Sequence, residues 1–368
     1  MFQHYDFVMN ITELNRSSWL RLQARRQQLP HALLLTGHAG IGKFELARVF
    51  ANSLLCEQSA GGIACGGCQA CHWLSQGNHP DFRLVIPEYL QKTLGTTTDD
   101  ESVPDKSEGK SAEKTEKKAS QQITIEQIRA LDGFLSVGTH RKGLRIILIY
   151  PAEAMNRNTA NAILKSLEEP PASTLFLLVS SDSKSLLPTI RSRCQVIQIP
   201  RPDTQSARHY VSHYIHQASP EVVTSSLSLS GGAPLHAIEL AQHLENSWRQ
   251  LLFNALARGG QLDVFSAAAD LDKAFRENKE AAPLRQVVDW VQKWVLDLAM
   301  VCRQQPATFF TNYQNTFDQF KYSISVAELV TFYRLSLLPL RKNADHPVNA
   351  KLFLESLLGQ YRSLWIKH

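Results

Sequence analysis

A chain of 368 residues with 43% hydrophobic and 20% charged side chains has room for two to three globular domains at ~100–200 residues each. That balance excludes a wholly disordered, collagen-like or tail-like protein. The 39 basic and 34 acidic side chains leave a net charge of +5, which permits a nucleic-acid partner without naming one and argues against a polyanion-coating protein. No apolar run approaches the ~18 residues of a membrane span. Residues 1–10 lack the charged-then-apolar layout of a signal peptide, so no membrane partner is expected and the cytoplasm is the expected compartment.

His31 to Thr36 is a short apolar run, which predicts a buried parallel strand. Gly37-His38-Ala39-Gly40-Ile41-Gly42-Lys43 follows, and Leu46, Val49, Phe50 and Leu54 then share one helical face. A glycine loop between a strand and a helix, with Gly37, Gly42 and Lys43 at G-x-x-x-x-G-K spacing, fits a phosphate-binding loop whose amides and lysine would hold a nucleotide. The next position, normally the hydroxyl that holds Mg²⁺, is Phe44. Gly37, Gly40, Gly42 and Lys43 are therefore candidates for nucleotide binding in a degenerate site, or for a purely structural turn.

Cys56, Cys65, Cys68 and Cys71 lie within sixteen residues, with Gly61, Gly62, Gly66 and Gly67 supplying tight turns. In a cytosolic chain such a cluster points to metal or redox chemistry rather than to disulfides. Four thiolates suit structural Zn²⁺; an iron–sulfur cluster or free redox thiols are the alternatives, and His72 or His79 could replace one ligand. Cys194 and Cys302 stand apart.

Phe82, Leu84 and Ile86 alternate as in a strand. Residues 96–122 then interleave acidic and basic side chains with almost no apolar ones, and predict a disordered loop. Thr124 and Gln127 fit a capping box ahead of a helix carrying Ile125, Ile128, Leu131 and Leu135. Arg145 to Tyr150 predicts another parallel strand. It runs into Tyr150-Pro151, where an ATPase would place its acidic pair, and Glu153 comes three residues too late. With hydroxyl and acidic pair both missing, ATP/Mg²⁺ hydrolysis in this site is not expected.

Ala160, Ile163, Leu164 and Leu167 mark a helix stopped by Pro170-Pro171. Thr174 to Val179 and Gln195 to Ile199 predict two more strands, and the alternation over residues 25–200 predicts a parallel α/β sheet covered on both faces. Between those strands lies Thr189-Ile190-Arg191-Ser192-Arg193-Cys194; its arginines read either as surface charge or as an arginine finger reaching a neighbouring subunit's phosphates. After residue 200 the pattern is all-helical. Val287, Trp290, Val291, Trp294 and Leu298 form one stripe and Leu354, Leu357, Leu358 and Tyr361 another, each fit for a partner or for an internal core.

Taken together, Leu29 to Leu35 leading into the glycine loop, the inserted four-cysteine module, Asn78-His79-Pro80-Asp81, the Ala160 to Pro171 segment, Ser192-Arg193-Cys194 and Asn349 to Glu355 resemble the bacterial clamp-loader subunits of the AAA+ family. Phe44, Tyr150, Pro151, and Leu235 at the place of a lid arginine, look like the non-hydrolysing delta-prime branch rather than the gamma/tau motor. The resemblance implies an AAA+ α/β domain (1–200) with the zinc module at 56–71, a small helical lid (201–245) and an all-α oligomerisation collar (246–368). It implies that the four cysteines bind Zn²⁺ and that Arg193 acts in trans on the ATP of an adjacent subunit. The implied partners are gamma/tau and delta subunits, and through the complex the sliding clamp and primer-template DNA. Any DNA-directed DNA polymerase (nucleotidyltransferase) activity would belong to the holoenzyme. Two other readings stay open: an active gamma/tau-like ATPase, and a stand-alone zinc-dependent DNA-binding protein.

Overall fold

The five apolar runs become five strands, β1 (Ala32–Thr36), β2 (Phe82–Val85), β3 (Arg145–Ile149), β4 (Thr174–Ser180) and β5 (Gln195–Gln198), in a computed structural model of the chain. The structure describes residues 2–94, 120–140, 143–215, 219–242, 247–277, 283–344, 346 and 348–366. Two units are distinguished, Met1–Ser206 and Ala207–His368.

In the first unit the strands form one sheet in the order β2-β3-β4-β1-β5, with every pairing parallel. Residues 33–35, 146–149 and 175–179 of the three inner strands are fully buried, whereas β2 and β5 at the edges expose part of their side chains. Burying a leucine-sized side chain contributes ~1.5–3 kcal/mol, which offsets the ~1–2 kcal/mol of backbone entropy each residue loses. The inner strands meet that cost themselves, and the edges depend on them.

The helices of this unit are α1 (Phe2–Leu14), α2 (Arg16–Ala24), α3 (Lys43–Leu55), α4 (Gln69–Gln76), α5 (Glu88–Leu94), α6 (Ile125–Ser136), α7 (Arg157–Glu168) and α8 (Pro188–Arg193). Parallel neighbours need crossover connections, and α3 to α8, which lie between the strands in the chain, supply them. The capping box at Thr124 and Gln127 is present. Helix α3 is buried on more than the one expected face, with Phe44, Ala47, Ala51 and Leu55 inside as well. Helices α1 and α2, which the sequence pattern did not announce, bury Val8, Ile11, Leu14, Trp19 and Leu22.

The predicted loop at 96–122 lies outside the described residues except for 120–122. Of these, Ser120 and Gln122 are tied down: Ser120 N–H donates to Glu88 Oε2 at 3.0 Å, and Ser120 Oγ donates to the Gln122 carbonyl at 3.0 Å.

The second unit is helical throughout its described residues: α9 (Thr204–Tyr214, beginning just before the boundary), α10 (Pro220–Leu229), α11 (Pro234–Gln242), α12 (Ser247–Leu256), α13 (Val264–Glu277), α14 (Leu284–Cys302), α15 (Gln314–Phe320), α16 (Val326–Phe332), α17 (Leu338–Asn343) and α18 (Ala350–Arg362), with short 3₁₀ and π turns between them. A small core of Ala207, Val211, Val223, Leu227 and Ala237 joins α9 to α11. A larger core gathers α12 to α18.

Both apolar stripes offered above as partner surfaces are internal to that larger core. Val287, Val291, Trp294, Leu298, Leu354, Leu357, Leu358 and Tyr361 are completely buried, and Trp290 nearly so. Trp294 packs edge-on against Phe310 and Phe317, with ring centroids 5.2 and 4.7 Å away. Its Nε1–H donates to Tyr361 Oη at 2.9 Å, and that hydroxyl donates to the Leu256 carbonyl at 2.9 Å. Burial raises the Tyr361 phenol above its ordinary range, so it stays protonated and can serve as donor. Nearby, the fully buried Asp297 accepts the N–H groups of Thr308 (2.8 Å), Phe309 (2.8 Å) and Phe310 (2.6 Å), pinning the loop after α14.

Tyr361→Phe keeps the ring and leaves the Trp294 N–H and the Leu256 carbonyl without their shared partner. An unsatisfied buried polar group costs about 1–3 kcal/mol, a fall of roughly 2–10 °C in melting temperature for a unit of this size. Thermal unfolding followed by tryptophan fluorescence checks this; an unchanged transition would show that the hydroxyl carries no stability.

Candidate functional site: a sealed phosphate loop, a cysteine cluster and an anchored arginine

An all-parallel sheet brings the C-terminal ends of its strands to one edge, the usual place for a ligand crevice. Here the segments after β1, β3 and β4 converge there. Gly37, Gly40 and Gly42 lie in the turn from β1 to α3, and Lys43 is the first residue of the helix. Gly42 has φ +85°, and a Cβ there would come within 2.5 Å of Ile11 Cδ1. Helix α1 thus closes directly over the loop, and Asn15 Nδ2 reinforces it by donating to the Ile41 carbonyl at 3.1 Å.

Lys43 is buried and turned inward. Its Nζ donates to the His38 carbonyl in its own loop and to Ser181 Oγ at 3.1 Å, just past β4. Burial brings the ammonium down to about 8, while Glu153 and Glu45 hold it up. Glu153 is in a short turn after β3, where its Oε1 accepts the Ser181 N–H at 2.9 Å. So the one acidic side chain near the expected catalytic position serves the loop after β4. Arg201 Nη2 lies 3.2 Å from His38 Nδ1 at the loop's outer side.

Phe44 and Tyr150 stack on each other with centroids 4.5 Å apart and planes 19° from parallel. These are the two positions where an ATPase places the hydroxyl and the first carboxylate that hold Mg²⁺. The departures read separately from the sequence are therefore one physical object, an aromatic pair in place of two oxygen ligands.

The four cysteine sulfurs all lie within 4.8 Å of one another. Cys56 and Cys68 are 3.9 Å apart, Cys65 and Cys71 4.0 Å. A tetrahedron with metal–sulfur bonds of ~2.3 Å has edges of about 3.8 Å, so the spacing fits a Zn²⁺-sized ion. Backbone N–H groups of Cys65, Cys68 and Cys71 point at the sulfurs of Cys56, Cys65 and Cys68, at 3.1, 3.3 and 3.5 Å. Burial raises the Cys56 and Cys71 thiols; at Cys68 burial is outweighed by the Cys71 and Glu57 amides, and its thiol falls to about 6. Neither histidine joins the set: His72 is exposed, and the buried His79 accepts the Asp81 N–H on Nδ1 at 3.0 Å.

The module is braced from α2, a role that no sequence pattern revealed. Gln23 Nε2 and Arg26 Nη1 both donate to the Gly62 carbonyl at 3.1 Å, and Arg26 Nη2 donates to the Ser53 carbonyl at 2.9 Å. Gly62 has φ +82°, and a Cβ there would meet Gln23 Oε1 at 2.3 Å.

Arg193 is the last residue of α8, flanked by the buried Ile190 and Cys194. Burial lifts the Cys194 thiol to about 11, an inert anchor rather than a nucleophile. His31 Nε2 lies 3.0 Å from the Arg193 carbonyl oxygen. The Arg193 side chain is 33% exposed; its Nη1 donates to the Thr189 carbonyl at 3.0 Å and to Ser192 Oγ at 3.3 Å, and its Nη2 lies 2.6 Å from Glu168 Oε1. The structure thus gathers Gly37, Gly40, Gly42 and Lys43 into one loop and Cys56, Cys65, Cys68 and Cys71 into one cluster, and places Arg193 separately at the end of α8. In the sequence Glu168 stood out only as part of the Ala160 to Pro171 segment that carries the family resemblance.

Residues 14–203 match the family model described as DNA polymerase III, delta subunit. The DNA polymerase III subunit delta' of Pseudomonas aeruginosa is 34% identical over 291 residues, covering 79% of this chain and 78% of that one. The subunit delta' of Escherichia coli is 30% identical over 268 residues, 73% of this chain and 69% of that one. A DNA polymerase III gamma subunit-related protein from Thermotoga maritima covers 95% of this chain and 100% of its own, at 15% identity and a TM-score of 0.46. The chain belongs to the DNA polymerase III delta-prime subunit family of bacterial clamp loaders.

Proposed function

We propose that the chain works as a non-hydrolysing stator of a bacterial clamp loader and lends Arg193 to the ATP bound by a neighbouring subunit. The observation that carries this reading is the stacked Phe44 and Tyr150. Phosphoryl transfer relies on positioning and on metal charge. A pair of aromatic rings supplies neither, and the loop lysine is already engaged by His38 and Ser181. The chain's contribution to ATP turnover is then a charge presented outward. A guanidinium offers a rigid fork of donors matched to phosphate oxygens, and Arg193 is held at a helix end with part of its side chain open to solvent.

The partners follow from the family: gamma/tau and delta subunits in a hetero-oligomer, and through it the sliding clamp and primed DNA in the cytoplasm. The helices gathered by the small core act as the lid, with Leu235 in α11 where an ATPase lid would carry an arginine, and those gathered by the larger core as the collar. Cys56, Cys65, Cys68 and Cys71 hold structural Zn²⁺, which when bound cross-links a segment that buries little apolar surface of its own. A closed Cys₄ set leaves no position for substrate, so the metal takes no part in turnover.

Three outcomes test this reading. The isolated chain hydrolyses no ATP above blank in a phosphate-release assay; measurable turnover abolished by Lys43→Ala would favour the active ATPase. Freshly purified protein carries about one equivalent of zinc by elemental analysis, and chelation removes hydrogen-exchange protection from residues 56–77; less than about half an equivalent would count against the metal site. In a complex reconstituted with cognate ATPase subunits, Arg193→Ala lowers the clamp- and DNA-stimulated ATPase while assembly persists. A finger can be worth ~10³–10⁵ at its own site, so the loss in the whole complex is partial, because other sites keep their own fingers.

A further inference from the structure

We propose that Glu168 is the positioning residue for Arg193, holding the guanidinium in the orientation it needs toward the neighbour's phosphates. This rests on the reading of Arg193 as a finger acting in trans.

An arginine on a surface turn rotates about several bonds, and most of its rotamers point a guanidinium away from any given phosphate. Preorganisation removes that search from the catalytic step. Two helix ends meet here. Glu168 is the last helical residue of α7, whose continuation Pro170-Pro171 forbids. Arg193 is the last of α8, which packs on α7. Both backbones are fixed from inside, by Ile163 and Leu167 on one helix and by Ile190 and Cys194 on the other. Only the side chains cross between them, in an ion pair of 2.6 Å.

The partners divide the guanidinium. Nη1 is taken by the Thr189 carbonyl and Ser192 Oγ, and Nη2 lies in ion-pair contact with Glu168 Oε1. A guanidinium has five N–H donors, so with Nη1 occupied, donors on Nη2 and Nε are left for another acceptor. With Glu168 48% exposed, the pair is too solvated to matter much for folding. Its effect is orientation. The carboxylate also holds a cation in place at the C-terminal end of α8, where the helix dipole favours positive charge.

The test is a double-mutant cycle in the reconstituted complex, with sliding clamp and primed DNA present, measuring kcat and KM for ATP. The variants are Glu168→Ala, Glu168→Gln, Arg193→Ala and the Glu168→Ala/Arg193→Ala pair. We expect Glu168→Ala to lower kcat by at least ~2-fold, part of the Arg193→Ala loss, with KM unchanged. Glu168→Gln, which keeps a neutral acceptor, falls between. In the Arg193→Ala background Glu168→Ala adds nothing, and the melting temperature of the isolated chain is unchanged. An equal loss in both backgrounds would make Glu168 merely structural and overturn the proposal. A rise in kcat would mean that Glu168 restrains the finger, and would overturn it as well. If Arg193→Ala lowers turnover and Glu168→Ala does not, the positioning role fails alone. If Arg193→Ala leaves turnover unchanged, the finger and its positioning residue fail together.

Discussion

Everything at the strand-end edge of the first unit is arranged around the stack of Phe44 on Tyr150. A phosphate loop is a compromise between packing and vacancy: it keeps amides and a lysine turned toward space that a ligand will fill. Two aromatic rings at van der Waals distance remove the need for the ligand. They bring apolar contact to the place where two oxygens would need a metal to be satisfied, and aromatic pairs are worth ~0.5–1.5 kcal/mol beyond the area they bury. Once that position is apolar, the lysine has no metal-held phosphate to meet, only the pull of Glu153 and Glu45. It turns to the nearest oxygens instead, the His38 carbonyl and Ser181 Oγ. Glu153, freed from catalysis, takes the Ser181 amide. The parallel sheet persists because its stability lies in the inner strands, which do not depend on what the loop binds.

The same logic separates the two ends of the chemistry. Lys43 and Glu153 are turned inward onto the loops after β1 and β4, and the side chain proposed to act on a nucleotide elsewhere is partly open and tethered. Ser192-Arg193-Cys194 shows how three residues achieve that. Cys194 anchors the backbone in the α7–α8 core, Ser192 offers its hydroxyl oxygen to the guanidinium, and Arg193 is exposed between them.

The sheet was readable in the sequence because its strands are short apolar runs bounded by glycine, proline or polar residues, and burial on both faces leaves little choice of composition. The helix at Ile125 announced itself by its capping box, and the one ending at Glu168 by its prolines. The cysteine cluster was readable from spacing alone. What stayed hidden depends on contacts between distant segments. Phe44 and Tyr150 were each visible as a departure, but nothing in either position says that the rings touch. Helix α2 buries only Trp19 and Leu22 among its larger apolar residues, too few to stand out as a stripe. Val287 to Leu298 and Leu354 to Tyr361 could be read as partner surfaces because a stripe records which side of a helix is apolar, not what covers it. The structure covers them inside one core, α18 against α13 and α14 against α15 and α16, with Trp294 and Tyr361 joining the two.

Three arginines make the limit of sequence reading concrete. Arg26, Arg145 and Arg193 each stand beside an apolar segment, and composition treats them alike. Arg26 spends its donors on the Ser53 and Gly62 carbonyls and ties α2 to the cysteine module. Arg145 is buried, and donates to the Phe134 and Leu135 carbonyls at 2.8 and 2.7 Å, closing the end of α6. Both guanidiniums are turned onto their own fold, Arg26 also onto Gln23 Oε1 and the Ser53 and Ser59 hydroxyls and Arg145 also over the Phe134 ring, so their charge stabilises local turns. Arg193 gives one nitrogen to its own helix and the other to a carboxylate, and a third of its side chain stays open. A carboxylate partner differs from a carbonyl in one respect that matters here. It is a side chain on a second helix, so it sets the direction of the guanidinium without closing the turn around it. That difference in where the donors go, rather than the identity of the residue, separates an arginine that holds this fold together from one that can act outside it.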